Sequence, residues 1–209
     1  MLWLLIAIII ATVITYYILV KRKSGHTGKE NLSILPERFV VFDLETTGLK
    51  PDTHEIIEIG AIRVNRDSDN HETFQALLKP TKKIPAKITE ITGITQDMVE
   101  RDGDPLEILL PQFLDFVGDL PLVSYNAEFD MAFLTAAIKK TQVDKRIKNR
   151  ASCALKMARR AWPGLKSYRL PDLAKMGNLS DEDTHRALGD CKRTLIVYTA
   201  AAAKLKSAS

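Results

Sequence analysis

Asp43 and Glu45 stand two residues apart at the end of an apolar, β-branched stretch, Arg38 to Glu45 (RFVVFDLE). In a strand, residues i and i+2 share a face, so both carboxylates point one way and Leu44 the other. Two carboxylates side by side on a buried strand repel each other and resist desolvation unless a cation sits between them. A divalent, oxygen-seeking metal is the simplest resolution. Many Asp-x-Glu pairs merely end an exposed strand, so this pair alone leaves both readings open.

A second acidic position is Asp130, in Ser124 to Leu134 (SYNAEFDMAFL). It falls just after a strand, in the first turn of a helix whose apolar face carries Met131, Phe133 and Leu134. Compensation of the helix dipole is the ordinary use of Asp there. The third constellation is His185 to Asp190 (HRALGD). Five helical residues rotate by about 500°, which leaves the two side chains roughly 140° apart within one helix. They converge only if His185 precedes the regular helix, with Asp183 or Thr184 near the cap. Taken alone, His185 also reads as a surface histidine in a polar loop. His26, His54 and His71 have no comparable context, and Cys153 and Cys191 carry neither zinc nor disulfide spacing.

The elements that must position these groups are three consecutive strands followed mostly by helices. Arg38–Glu45, His54–Val64 and His71–Leu78 read as strands, with a hairpin break at Arg66–Asn70 and an antiparallel start to the sheet. Asp104 and Pro105 read as N-cap and first turn of a helix Leu106–Val117, kinked at Pro111. Pro121–Tyr125 is a short strand. Helices follow at Glu128–Lys140, Ala154–Trp162, Leu170–Met176 and from about Arg186 to Leu205. The order indicates one α/β domain from about residue 36.

Together the three motifs resemble those of the histidine-type DEDD 3′→5′ exonucleases, the family of the proofreading epsilon subunit of bacterial DNA polymerase III. The matching segments are Phe42–Leu49 (FDLETTGL), Asn126–Phe133 (NAEFDMAF) and His185–Asp190. Ile91–Thr95 (ITGIT), Leu155–Arg160 (LKMARR) and Pro163–Tyr168 (PGLKSY) also look like this family. The resemblance implies a ribonuclease H-like fold, a mixed sheet flanked by helices. It further implies that Asp43, Glu45, Asp130 and Asp190 hold two divalent cations, Mg²⁺ or Mn²⁺, with Asp43 shared.

His185 would then be the general base and the 3′ end of a nucleic acid the substrate, with nucleoside 5′-monophosphates released. Thr46, Leu49, Asn126 and Phe129 resemble positions that contact the terminal nucleotide. For Leu49 and Phe129, ordinary core packing is the alternative. Two positions depart from the family pattern. Tyr125 stands where many relatives have His, and Thr92 where a His before Gly-Ile is frequent.

The chain begins differently. Leu2 to Val20 is an apolar run relieved only by Thr12 and Thr15, and Lys21, Arg22 and Lys23 follow at once. As a helix it spans roughly 28 Å, close to a bilayer's hydrocarbon thickness. Trp3 near one end and Tyr16 and Tyr17 near the other suit the headgroup level. Neither a basic n-region nor a small-residue cleavage site marks it as a signal peptide. The expectation is one N-terminal transmembrane helix with its basic stop (residues 1–23), a polar linker (24–36) and the exonuclease domain (37–209). The positive-inside bias puts that domain in the cytoplasm, as for a single-pass protein of a bacterial inner membrane, with residues 2–20 meeting lipid.

Net charge is +4, and Lys21–Lys23 supply three of those charges. It is therefore a topology signal more than a nucleic-acid signal. Within the rest, residues 139–169 carry 11 basic groups against Asp144 alone. That segment either contacts phosphates or is a solvated face. With 45% apolar and 27% charged residues, a disordered, collagen-like or disulfide-scaffold chain is excluded. Two other readings are a catalytically silent, membrane-anchored scaffold and a polymerase-bound proofreading subunit. The first is opposed by the retained carboxylates, which a scaffold has no physical reason to keep. The anchor weighs against a polymerase partner.

Overall fold

The computed structural model describes residues 32, 34–68, 70–143, 147–176 and 185–207. The chain divides after Leu32, and the unit Ser33–Ser209 carries every candidate site residue. The apolar run expected to cross a membrane lies outside the described residues. Among those described, no helix is long and apolar enough to do so.

Five strands form one sheet in the order β3-β2-β1-β4-β5. They are β1 (Arg38–Thr46), β2 (Ile56–Asn65), β3 (Glu72–Leu77), β4 (Leu122–Ser124) and β5 (Ala151–Cys153). The first three are an antiparallel meander, as the hairpin break suggested, and β4 and β5 add in parallel beyond β1. Sequence reading missed β5, which is only three residues long and too short for any period to emerge.

Seven helices are described: α1 (Ala86–Thr92), α2 (Gln96–Asp102), α3 (Leu106–Val117), α4 (Ala127–Thr141), α5 (Ala154–Ala161), α6 (Leu170–Met176) and α7 (Ala187–Ser207). The sequence reading did not include α1 and α2. Each has two turns, and side groups fix their junction: Gly93 takes φ 71°, and the Thr95 hydroxyl accepts from the Met98 N–H at 3.2 Å. Asp104, expected from sequence to cap α3, does not do so. Its backbone instead bridges to the end of β3, with its N–H on Leu77 O and its carbonyl accepting from Lys79, so Pro105 becomes the first boundary residue. The α3 helix continues through Pro111, which removes one rung of its ladder.

Central β1 is buried on both faces, and its alternation sorts the two layers. Val40, Phe42 and Leu44 enter the main core with Leu110, Phe113 and Leu134 from α3 and α4. Phe39, on the opposite face, packs its ring 5.9 Å from Tyr198 of α7. Asp43 and Glu45 belong by strand period to that same α7 face. The long C-terminal helix thus crosses the sheet where the acidic end of β1 emerges, and α5 and α6 pack against it.

Candidate active site

The carboxylates converge. One oxygen each from Asp43, Glu45 and Asp190 lies within 4.8 Å of the others. Asp43 and Glu45 reach the cluster from the end of β1, and Asp190 from the first turn of α7. Asp130, on α4, is buried close enough to raise the proton affinity of Asp43. Its carboxylate accepts a short hydrogen bond from the buried Ser124 hydroxyl at the end of β4. Asp130 is therefore spent inward, on the cluster, and its helix position alone does not explain it.

Burial and mutual repulsion dominate the electrostatics. Burial, then Asp130, Glu45, Asp190 and Glu58, push the Asp43 carboxyl well above its ordinary range. Glu45 is raised to about 8 by burial first and by Asp190 next. Burial raises Asp130 to about 7, against the hydrogen bonds from Ser124 and the Leu44 backbone that favour its anion. Burial also raises Asp190, opposed by Arg193, His185 and a backbone hydrogen bond from His185. Such a cluster is destabilising unless positive charge joins it. Its donors are carboxylate oxygens with neither thiolate nor imidazole, a set that fits Mg²⁺ or Mn²⁺.

His185 precedes α7, as the rotation argument required, in a left-handed conformation (φ 59°). Its backbone hydrogen-bonds the Asp190 carboxylate, and the Asp190 N–H returns to Arg186 O at 2.9 Å. The residues expected at the nucleotide fall in different settings. Leu49 is 81% exposed, which removes core packing as its role. Phe129 is half-buried against the core, its ring 4.9 Å from Phe133. Asn126 is exposed at the start of α4. Thr46 is buried and donates its hydroxyl to Gly48 O at 2.7 Å.

The loop that presents Leu49 is built tightly. Thr47 N–H bonds Glu55 O at 2.8 Å, and Glu55 N–H bonds the Thr47 hydroxyl at 2.9 Å. A Cβ on Gly48 would lie 2.2 Å from the His54 ring, so His54, given no role from sequence, packs beneath that loop. Both departures from the family pattern are satisfied internally. The Thr92 hydroxyl donates to Ile88 O at 3.0 Å, and Tyr125 donates to Tyr168 O.

Sequence reasoning missed Glu58, Gly60 and Arg193. Glu58 is fully buried on β2 and ion-paired to Arg186. A lone charge inside Ile56-Ile57-Glu58-Ile59 was its signal, since such a group demands a partner. Arg193 is buried and bonds Asp190 at 3.1 Å. At Gly60 a Cβ would meet the α7 backbone at Ala187 and Leu188, 2.4 Å away, so only glycine allows this crossing. A cleft of about 640 Å³ lined by His54, Leu106, Phe133 and Lys140 lies elsewhere and includes none of the cluster.

A mixed sheet whose central strand delivers paired acids to two helix-borne ones defines the class: a metal-dependent hydrolase domain of the ribonuclease H-like fold. Comparison with known proteins gives the family. Residues 40–198 match the exonuclease family RNase T. The chain is 40% identical over 173 residues to a PolC-type DNA polymerase III of Clostridium perfringens, covering 81% of this chain but 12% of that one. It is 37% identical over 178 residues to the DNA polymerase III epsilon subunit of Aquifex aeolicus, covering 85% and 86%.

Among solved structures, an Escherichia coli exonuclease I complex with single-stranded DNA superposes with TM-score 0.70 at 22% identity, covering 83% of this chain and 42% of that chain. Exonuclease X with 5′-overhanging duplex DNA gives 0.62 at 26% identity, covering 82% and 93%. The chain belongs to the exonuclease family. That family is one of exonuclease enzymes, and the chain spans about an eighth of the length of the PolC-type relatives it matches.

Proposed function

We propose that this chain hydrolyses phosphodiester bonds one at a time from the 3′ end of a nucleic acid, single-stranded DNA or RNA, releasing nucleoside 5′-monophosphates. The observation that carries this reading is the convergence of Asp43, Glu45 and Asp190 to within 4.8 Å, beside the buried Asp130. Asp43, Glu45, Asp130 and Asp190 would hold the two ions. When bound there, divalent ions stabilise the charge of the attacking and leaving oxygens in an in-line displacement.

The remaining steps belong to the chain's own side chains. His185, ahead of α7, takes the proton from the attacking water, work for which an imidazole is suited around neutral pH. This assigns the chain to the histidine-type branch of the family. Leu49 and Phe129 flank the terminal base, one exposed and one half-buried, while Asn126 and the Thr46 backbone orient the sugar and phosphate. Between residues 147 and 169 there are seven basic groups and no acidic one. This stretch supports attraction of the trailing phosphates.

The apolar segment 2–20 and the basic Lys21–Lys23 support a membrane tether with the catalytic domain on the cytoplasmic side, as in a bacterial inner membrane. The names of the relatives, a polymerase subunit and a polymerase that carries the domain, support the other seat, on a replicative polymerase.

The test uses the full chain in liposomes with Mg²⁺ or Mn²⁺ and end-labelled single- and double-stranded DNA and RNA. Label at the 3′ end is expected to leave first as mononucleotide, and a blocked 3′ end to stop the reaction. His185→Ala should slow turnover by about a hundred-fold or more. Early release of 5′ label, or internal cutting, would overturn the assignment. Flotation with the liposomes supports the tether, and failure to float removes it.

A further inference from the structure

Glu58 stands in the cluster's neighbourhood without being available to it. It is the direct cross-strand partner of Glu45 in the β1–β2 ladder, fully buried, and close enough to raise the proton affinity of Asp43 and Glu45. Its two oxygens are nevertheless committed. Arg186 Nη2 donates to Oε1 at 2.7 Å, and Arg186 Nε lies 3.2 Å and 3.1 Å from Oε1 and Oε2. The Ala187 N–H donates to Oε2 at 2.9 Å, and Gln75 Nε2 donates to Oε1 at 2.9 Å. The bonds to Arg186 and Ala187 land on the two residues that follow His185.

A non-glycine residue with positive φ is strained and keeps that conformation only where its surroundings over-determine it. His185 is such a residue, and the Glu58 carboxylate is what grips the chain just after it. An Arg–carboxylate fork fixes direction as well as distance. The cap on Ala187 satisfies one of the orphan N–H groups at the start of α7, and the negative charge suits that helix end. The fork ties β2, which carries no residue of the acidic cluster, to the entry of α7. The geometry points to Glu58 as a positioning residue: through Arg186 and Ala187 it holds His185 where the imidazole can reach the attacking water. This rests on the reading of His185 as general base.

The experiment compares Glu58→Gln, Arg186→Lys, His185→Asn and the Glu58→Gln/His185→Asn pair in the full chain, with kcat, KM and the Mn²⁺ activation midpoint measured for each. Glu58→Gln keeps the volume and one acceptor but loses the fork. Its kcat is expected to fall by about ten- to a hundred-fold, the scale of a small misplacement of a reacting group. At saturating Mn²⁺, KM should stay within about two-fold, because the bridge acts through another residue only in the transition state. The Mn²⁺ midpoint itself shifts with loss of a charge that raises the proton affinity of Asp43 and Glu45. Arg186→Lys should move kcat the same way by a smaller factor.

Adding Glu58→Gln to His185→Asn should cost nothing further, since a positioning residue has nothing left to position. If the His185 variant has no measurable rate, the two single variants decide. If Glu58→Gln lacks a cooperative melt, Arg186→Lys takes its place in the pair. Unchanged kcat, a KM that moves as far as kcat, or effects that multiply in the pair would each overturn the proposal. Full activity of His185→Asn would instead overturn the general-base reading beneath it.

Discussion

Asp43 and Gly60 face each other across the β1–β2 ladder, and that pairing lets a helix and a carboxylate share one end of the sheet. A side chain at position 60 would meet the α7 backbone 2.4 Å away. With glycine there, α7 lies directly on β2 and brings Asp190 down to Asp43, while the Cys191 thiol bonds Gly60 O at 3.2 Å. The close approach of backbone to backbone is what closes the cluster.

Gly60→Ala is therefore expected to push α7 off the sheet. Overpacking of this kind costs about 1–3 kcal/mol. Because Asp190 moves with the helix, the Mn²⁺ concentration needed for half activity should rise as well. Thermal melts and a metal titration check both, and a normal metal midpoint would contradict the link from Gly60 to Asp190.

Asp43→Asn should separate stability from activity. Removing one member of a repulsive buried cluster should stabilise the metal-free fold. Turnover should fall by at least about a hundred-fold, because a carboxylate proposed to hold the ions is lost. Denaturant unfolding in chelator and a mononucleotide-release assay measure the two effects, and a variant both active and less stable would refute the account.

The stability of the metal-free protein should depend on pH with a defined sign. Folded Glu45 titrates near 8 against an ordinary 4.5, and Asp130 near 7 against 3.8. The folded state thus binds protons that the unfolded state has released. This contribution is fully present below about pH 4 and is lost as pH rises through 7 to 8. In chelator, the melting temperature should fall between about pH 5 and about pH 8. Added Mg²⁺ or Mn²⁺, which needs the anions, should raise it most at the upper end. A flat or rising metal-free curve would count against the cluster's electrostatics.

Leu49→Ala and Phe129→Ala should behave differently although both are proposed to meet the nucleotide. Leu49 is exposed, so its loss should leave stability within about 0.5 kcal/mol and raise KM. Phe129 packs on the core beside Phe133, so its loss should cost about 1–3 kcal/mol, less than for a fully buried ring, along with any effect on KM. Equal stability losses would undo the distinction.

Ser124→Ala removes the hydroxyl that donates to Asp130. A buried hydrogen bond to a charged group contributes about 1.5–3 kcal/mol, and its loss should raise the proton affinity of Asp130 further. Stability in the metal-bound protein should drop accordingly, and the pH at which metal binds should move upward. An unaltered pH dependence of metal binding would show that this hydroxyl leaves Asp130 unaffected.

Much of this site could be read from local pattern. The alternation in Arg38–Glu45 placed Asp43 and Glu45 on one face and Leu44 on the other, because strand period is a property of the local backbone. The helical rotation between His185 and Asp190 required His185 to lie outside the regular helix, which is where it stands. The three motifs pointed to the family. Local pattern did not reveal α1, α2 and β5, which are short elements set by tertiary partners, nor that Asp104 bridges to β3 instead of capping α3.

The sequence by itself determined which residue types were present, their faces within each element, and the family to which the motifs point. The tertiary structure alone decided that Asp130 turns inward to Ser124 and that Gly60 admits α7. It alone paired Glu58 with Arg186, 128 residues away. Those outcomes depend on strand register and helix crossing, where side chains from distant segments meet in a shared volume, and no periodicity within a single segment encodes that meeting.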